Sequence, residues 1–311
     1  MHRGGVRGKG AGDMHQGPGH IFRWKPESIG RPVRLLSLLT ASFFIGLILS
    51  QSVQAFAGWE IGARVGFDSN VDRSIEDGKG NSYFTGYGTF SRDPSSTLRF
   101  DWGLRIVLEG TAYPDLSGLN YGAVTVAPGM TFSPQPAWSA NLSPFIEAKE
   151  ISDSDQSAVA VGAKVNLNQL WHNGFYTGQY YIYTDSRAEV DTYSFTENMV
   201  GASFGISWNP SLFSEIGYEF SRGDSFRAIS TTSTMRSING AEFQGKHRRY
   251  SATFGTDVVR ESVDRHAIAV NVGFDLTESL FSLLNYTFAT AEGDLGTSTF
   301  HSGFTGIGYQ F

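Results

Sequence analysis

From Gly58 onward apolar and polar residues alternate, and the alternation outlasts a strand of an ordinary domain. Trp59, Ile61, Ala63, Val65 and Phe67 are separated by Glu60, Gly62, Arg64, Gly66 and Asp68. Leu98, Phe100, Trp102, Leu104, Ile106 and Leu108 alternate with Arg99, Asp101, Gly103, Arg105, Val107 and Glu109. The same pattern returns at 159–167, 200–208, 212–220 and 266–274. A period of two belongs to a strand with two unlike faces, and no stretch after Gly58 sustains helical spacing. These runs are about 10–14 residues long, against about 5–6 for a globular strand. A tilted strand crossing a bilayer needs about 9–11. Aromatic residues sit near the ends of the apolar faces, while the other faces carry Gly, Ser, Asn and paired charges. The pattern predicts an all-β chain folded as an antiparallel transmembrane β-barrel, closed because lipid leaves no backbone group a partner outside the sheet.

The breaks between runs are of two kinds. Arg92-Asp93-Pro94-Ser95, Ser133-Pro134-Gln135-Pro136, Asn168-Gln169, Asn209-Pro210-Ser211 and Leu276-Thr277-Glu278 are tight turns, expected on the periplasmic side. Longer polar breaks at 69–81, 111–118, 151–156, 187–196, 259–264 and 291–298 are expected as extracellular loops. The resulting strands are 58–68, 81–91, 97–109, 119–132, 138–149, 157–168, 174–186, 197–208, 211–222, 226–238, 247–258, 265–275, 279–290 and 299–311, fourteen in all. The Ser/Thr-rich stretch 226–238 alternates weakly, so twelve strands is the alternative. Dropping that stretch alone upsets the alternation of sides, which favours fourteen.

The chain ends on Thr305, Ile307, Tyr309 and Phe311, alternating with Gly306, Gly308 and Gln310. Termini usually fray, but a closed barrel must pair its last strand with its first. This ending resembles the C-terminal signal strand of bacterial outer-membrane β-barrels. The resemblance implies that Ile307, Tyr309 and Phe311 are read by a barrel-assembly machinery. It also implies contact with outer-membrane lipid and lipopolysaccharide.

Composition sharpens this picture at the other end. Arg31 and Arg34 precede an apolar run from Leu35 to Leu49, followed by Ala55-Phe56-Ala57. Basic flank, short apolar core and small-residue ending predict a secretory signal peptide over 1–57, cleaved after Ala57 or Ala55, with Met14 an alternative start. Residues 1–57 hold seven Lys or Arg and two acids, leaving 17 basic and 28 acidic residues in 58–311, a net of −11. That balance speaks against a nucleic-acid partner. The absence of Cys removes disulfides, thiolate metal sites and Cys nucleophiles. No cofactor is expected.

Gly66-Phe67-Asp68-Ser69-Asn70-Val71-Asp72 looks like the opening of outer-membrane barrels of the surface-lipoprotein-assembly and polysaccharide-export type. His266 to Phe311 resembles the last strands of autotransporter translocator domains. Neither helical repeats nor a passenger is expected here, so the resemblances imply a barrel alone, which is most similar to a porin.

Candidate chemistry is sparse. By parity, Glu60, Arg64, Asp68, Arg99, Asp101, Arg105, Glu109, Lys164, Glu215, Glu219, Arg249, Asp257, Arg265 and Asp275 are candidate lumen-lining charges. Asp68, Asn70 and Asp72 have a spacing that can chelate calcium through oxygen, but without the following Gly and distal Glu a solvated loop is the plainer reading. Asp153-Ser154-Asp155 is weaker still. His301-Ser302 and His172-Asn173 are neighbours whose side chains point to opposite faces of a strand, so neither makes a nucleophile–base pair. His266 falls on the lipid face, and the His-x-Ser motif of outer-membrane phospholipases is absent. No enzyme is expected. Lys246, His247, Arg248 and Arg249 form a basic cluster, read as a periplasmic interfacial anchor.

The function expected is passive passage of small solutes or ions through a charged, wet lumen narrowed by extracellular loops, with mild cation preference. Two alternatives stay open: a plugged structural or adhesive barrel, and a translocator or assembly barrel serving a separate partner.

Overall fold

A computed structural model describes residues 57–75, 78–92, 94, 99–171, 174–229 and 248–311. The expected signal peptide lies almost wholly outside them. The described chain forms thirteen strands: β1 (Ala57–Asp68), β2 (Asn81–Arg92), β3 (Phe100–Ala112), β4 (Tyr121–Gln135), β5 (Trp138–Ile151), β6 (Ala158–Leu170), β7 (Phe175–Ala188), β8 (Phe195–Asn209), β9 (Leu212–Ile229), β10 (Arg248–Ser251), β11 (Thr256–Asp275), β12 (Leu280–Gly293) and β13 (Gly296–Gln310). Each pairs antiparallel with its neighbour in the chain, except that β11 takes β9 as its partner and β10 lies outside the ring. β13 closes on β1 through pairs such as Ala63↔Ile307 and Ile61↔Tyr309. The amide of Phe311 donates to the Trp59 carbonyl at 2.9 Å. The result is a closed antiparallel barrel of twelve strands.

The alternative of twelve is therefore the count that holds. Residues 226–229 prolong β9 instead of starting a new strand, and the rest of 226–238 lies outside the described residues. Of the expected strand 247–258, the first part is the short β10 and the last part is the start of β11. Removing these two strands together leaves the sides alternating, which removing one does not. The polar stretch 259–264 belongs to β11, and the turn between β12 and β13 tightens to Asp294-Leu295.

The wall is apolar outside and polar within. Trp59, Ile61, Val65 and Phe67 are about half exposed on the outer face. A water-soluble protein would bury such residues, whereas lipid requires them outside. Trp59, Trp102, Trp138, Trp171 and Trp208 all lie at the end where β1 begins, β13 ends and the tight turns sit. Phe67, Phe84, Tyr183, Tyr286 and Phe288 mark the other end of the belt. From Trp59 to Phe67 the strand advances about 26 Å, or about 20 Å along the barrel axis at a typical tilt. That spacing fits two aromatic girdles around one hydrocarbon core. Among the described residues no helix is long and apolar enough to cross a membrane; the crossing is made by strands.

Candidate functional site: a charged lumen under a lid

Twelve strands at ordinary spacing and tilt give a backbone diameter of about 23 Å. Aromatic rings lie flat on the inner wall where the adjoining strand offers only glycine. A Cβ on Gly201 would overlap the Tyr180 ring, and one on Gly205 the Tyr176 ring. These two rings therefore rest against the wall.

Charged groups collect on two sides of this interior. On the first, Arg64 meets Glu109 at 3.3 Å, and its guanidinium lies 4.6 Å from the Tyr87 ring centre. The Tyr121 hydroxyl donates to Glu109 at 2.5 Å, and the Lys149 ammonium sits 3.8 Å over the Tyr121 ring. On the second, Arg265 pairs with Glu219, whose other oxygen accepts from the Tyr180 hydroxyl at 2.7 Å. Lys164 lies 5.3 Å from the Tyr180 ring centre. Asn271 donates to Glu215 at 3.4 Å.

The remaining predicted residues spread along the axis. Glu60 lies low in the wall, near Gln310 at 3.5 Å. Asp101 pairs with Arg92 at 3.5 Å. Arg99 and Asp275 are exposed at the turn end, and Arg105 faces inward from β3. Asp68 tops β1, accepting the Asn70 amide at 2.8 Å. Arg249 and Asp257 are placed above the barrel and not in its wall: Arg249 pairs with Asp155 at 2.6 Å, and Asp257 pairs with Arg248. The described part of the basic cluster, Arg248 and Arg249, therefore sits at the loop end, opposite to the expected side. Glu147, Lys149 and Glu197 also face inward; the parity of their strands would have found them. His266 and His301 face outward, each 2.7 Å from a tyrosine hydroxyl, of Tyr218 and Tyr286 respectively. No three His, Cys, Asp or Glu side chains converge as a metal site among the described residues.

The sequence did not show what covers the lumen. β9 and β11 run on beyond the girdle, paired as far as Asp257↔Ile229, and β10 adds a short third strand. This extension crosses the mouth, because it touches turns all round the rim. Thr253 donates to Asp153 in the β5–β6 turn at 2.7 Å. Arg260 pairs with Asp191 of the β7–β8 turn at 3.1 Å. The Lys79 ammonium, before β2, donates to the Phe254 carbonyl at 2.5 Å. Phe254 and Val258 are buried with Tyr193 and Ala228, and Leu119 of the β3–β4 turn packs against them. This small apolar core stands over the opening.

One buried ion pair fastens the lid to the β12–β13 turn. Arg227 and Glu261 meet at 2.7 Å, with side chains 1% and 3% exposed. Arg227 also donates to the carbonyls of Gly296 and Ala291, each at 2.8 Å. Both groups lie beyond the membrane belt. Burial pushes the Glu261 carboxyl above its ordinary range, against the pull of Arg227.

No family model and no curated protein matches the chain. Solved structures do. The COG4313 outer membrane channel from Pseudomonas putida F1 superposes with a TM-score of 0.52 at 9% identity, covering 82% of this chain and 96% of that one. The KdgM porin gives 0.46 at 9% identity, over 81% and 99%. The translocator domain of the autotransporter NalP from Neisseria meningitidis gives 0.39 at 9% identity, over 89% and 96%. At such identities the likeness is one of fold. The chain has the closed β-barrel fold of bacterial outer-membrane proteins, and its apolar belt fits an outer-membrane location.

Proposed function

We propose that this barrel is a gated diffusion channel for small hydrophilic solutes and ions, with a preference for cations. The observation that carries the reading is the inner wall. On the ring strands below the lid, five basic residues (Arg64, Arg105, Lys149, Lys164 and Arg265) face nine acidic ones (Glu60, Asp68, Asp101, Glu109, Glu147, Glu197, Glu215, Glu219 and Asp275). An excess of four negative charges in a lumen with apolar walls outside it concentrates cations. Paired charges beside a wet lumen keep part of their hydration, which a packed interior would deny them. The name of the Pseudomonas putida barrel as a channel agrees with this reading. Outer-membrane lipid, lipopolysaccharide and an assembly machinery reading Ile307, Tyr309 and Phe311 are the partners this function implies.

Planar-bilayer recording of the purified protein tests it. We expect open steps interrupted by long closures, and a reversal potential in a KCl gradient on the cation side. Anion selectivity would sink the assignment. The closed lid favours a second reading, a plugged barrel working through its loops. Permanent silence from barrels shown folded by heat-modifiable mobility would select that reading.

A further inference from the structure

The connection from β1 to β2 is built around carboxylates that are shielded from water. Asp72 is 3% exposed, and its Oδ1 accepts the amides of Lys79 at 2.9 Å and Ser74 at 3.4 Å. Asn70 is bound on both sides by Ser74, accepting its amide at 2.9 Å and donating to its carbonyl at 2.8 Å. The chain turns here with Arg73 at φ 55°, a left-handed conformation uncommon outside glycine. Arg73 is near enough to Asp68 for their charges to interact, but its hydrogen bond goes elsewhere. Its guanidinium donates to Ser225 at 2.6 Å and lies 5.2 Å from the Phe226 ring centre. Arg265, the other cation near Asp68, is taken by Glu219.

A second, independent feature lies directly across the ladder. Asn81 pairs with Asp68 in the register, so both side chains stand on the same inner face. Asn81 is 2% exposed, yet its amide oxygen and nitrogen have no hydrogen-bond partner among the described residues. A buried amide left open at both ends is costly, and native proteins fill such sites with water or an ion. A hydrated cation satisfies both ends. The metal takes Oδ1, and a further water in the site, not bound to the metal, accepts from Nδ2.

We propose that Asp68, Asp72 and Asn81 hold a calcium ion that braces the β1–β2 connection beneath the lid. Two carboxylates and an amide oxygen are hard donors of the kind calcium prefers. Its tolerance of irregular coordination lets backbone carbonyls and water complete the shell. Occupancy bears on the lid, because the same connection supplies three of its supports. The Asp72 carbonyl accepts the Ala228 amide at 3.0 Å, Arg73 holds Ser225, and Lys79 holds Phe254. Calcium therefore favours the closed mouth.

The test uses the whole purified protein stripped with chelator, and terbium as an optical stand-in for calcium. Tyr83 and Tyr113 lie close enough to Asp68 to feel its charge and serve as sensitisers. Terbium emission excited through tyrosine is expected, and calcium should displace it. Asp72→Asn keeps the acceptor for Lys79 and Ser74 but removes a charge. It should weaken calcium binding roughly 10–100-fold. Glu278→Gln, in a turn at the far end, should leave binding unchanged. Absence of tyrosine-excited emission at millimolar terbium, or equal calcium affinity in Asp72→Asn, overturns the site. Binding is read without conduction, so failure here is separable from failure of the channel assignment.

Discussion

Replacing Arg227 with methionine asks whether one buried charge pair holds the mouth shut. Methionine keeps much of the side-chain volume but none of the donors. Glu261 would keep the Leu295 amide at 3.0 Å, but it would lose its counter-ion, and the Gly296 and Ala291 carbonyls would lose their donor. Removing one partner of a buried pair costs about 3–5 kcal/mol. Arg227 and Glu261 stand in the upper part of the β9–β11 ladder, above the last β11–β12 pair at Val263↔Gly293, and the ladders that close the barrel lie below them, so the loss falls on lid opening and not on unfolding of the wall. At about 1.4 kcal/mol per decade, the open fraction should rise by about two to three and a half orders of magnitude. Single-channel recording should show the long closures gone while unit conductance and heat-modifiable mobility stay as in the parent. Adding Glu261→Leu removes the stranded carboxylate, and a well-packed apolar pair is often neutral or better than the ion pair it replaces. The double variant should close again. Hydrogen exchange over 223–229 and 256–263 decides the matter. Amides that lose protection with no change in gating would show that the lid does not obstruct the path. Unchanged protection would show that the pair does not fasten it.

Two further outcomes follow from the same geometry. Gly205→Val should force the Tyr176 ring off the wall and into the lumen, lowering unit conductance without altering selectivity; an unchanged conductance would mean that the ring is not flush with the path. For Glu261, burial raises the folded-state pKa above the ordinary 4.5, so the folded chain holds that proton to higher pH than the unfolded one. Its contribution is full below 4.5 and declines as pH rises through the folded value, a slope in thermal midpoint that Glu261→Gln should flatten.

The barrel was legible in the sequence because its chemistry is local. Whether Ile61 meets lipid and Arg64 the lumen is settled by parity along one strand, and parity survives any error in strand count. The closing strand was readable from Thr305 to Phe311 for the same reason. The count itself was not local. Residues 226–229 were read as the start of a further strand and 256–258 as the end of another, and nothing in their spacing says that they rise past the girdle. The charges misled in both directions. Arg260, Glu261 and Asp264 looked like loop, yet Arg260 and Glu261 find partners in Asp191, Asp224 and Arg227. Arg249 and Asp257 looked like lumen, yet both lie in the lid. Which carboxylate meets which guanidinium depends on residues far apart in the chain, and one sequence holds no record of it.

The strand count and the closed mouth are one fact seen twice. The chain between Phe226 and Val258 was expected to widen the ring by two strands. At constant tilt that would have enlarged the backbone diameter by about a sixth, from about 23 Å to about 27 Å. The described parts of that segment instead leave the ring and lie over the opening, carrying Phe226, Phe254 and Val258 into an apolar core that membrane strands could not use. A narrower ring leaves a smaller mouth, and a smaller mouth can be bridged by one two-stranded extension with β10 at its edge. The proposed channel also requires that the lid open at a modest energetic cost. The lid's apolar core is small, and its rim contacts are single hydrogen bonds such as Thr253–Asp153 and partly exposed ion pairs such as Arg249–Asp155, worth little each. Among the described residues the buried Arg227–Glu261 pair is the lid contact whose loss costs most, and it sits where β9 and β11 rise past the β12–β13 turn. In the channel proposed, gating strength would be concentrated in residues above the lumen, and such a lid could be retuned without touching the charges proposed to select the ion.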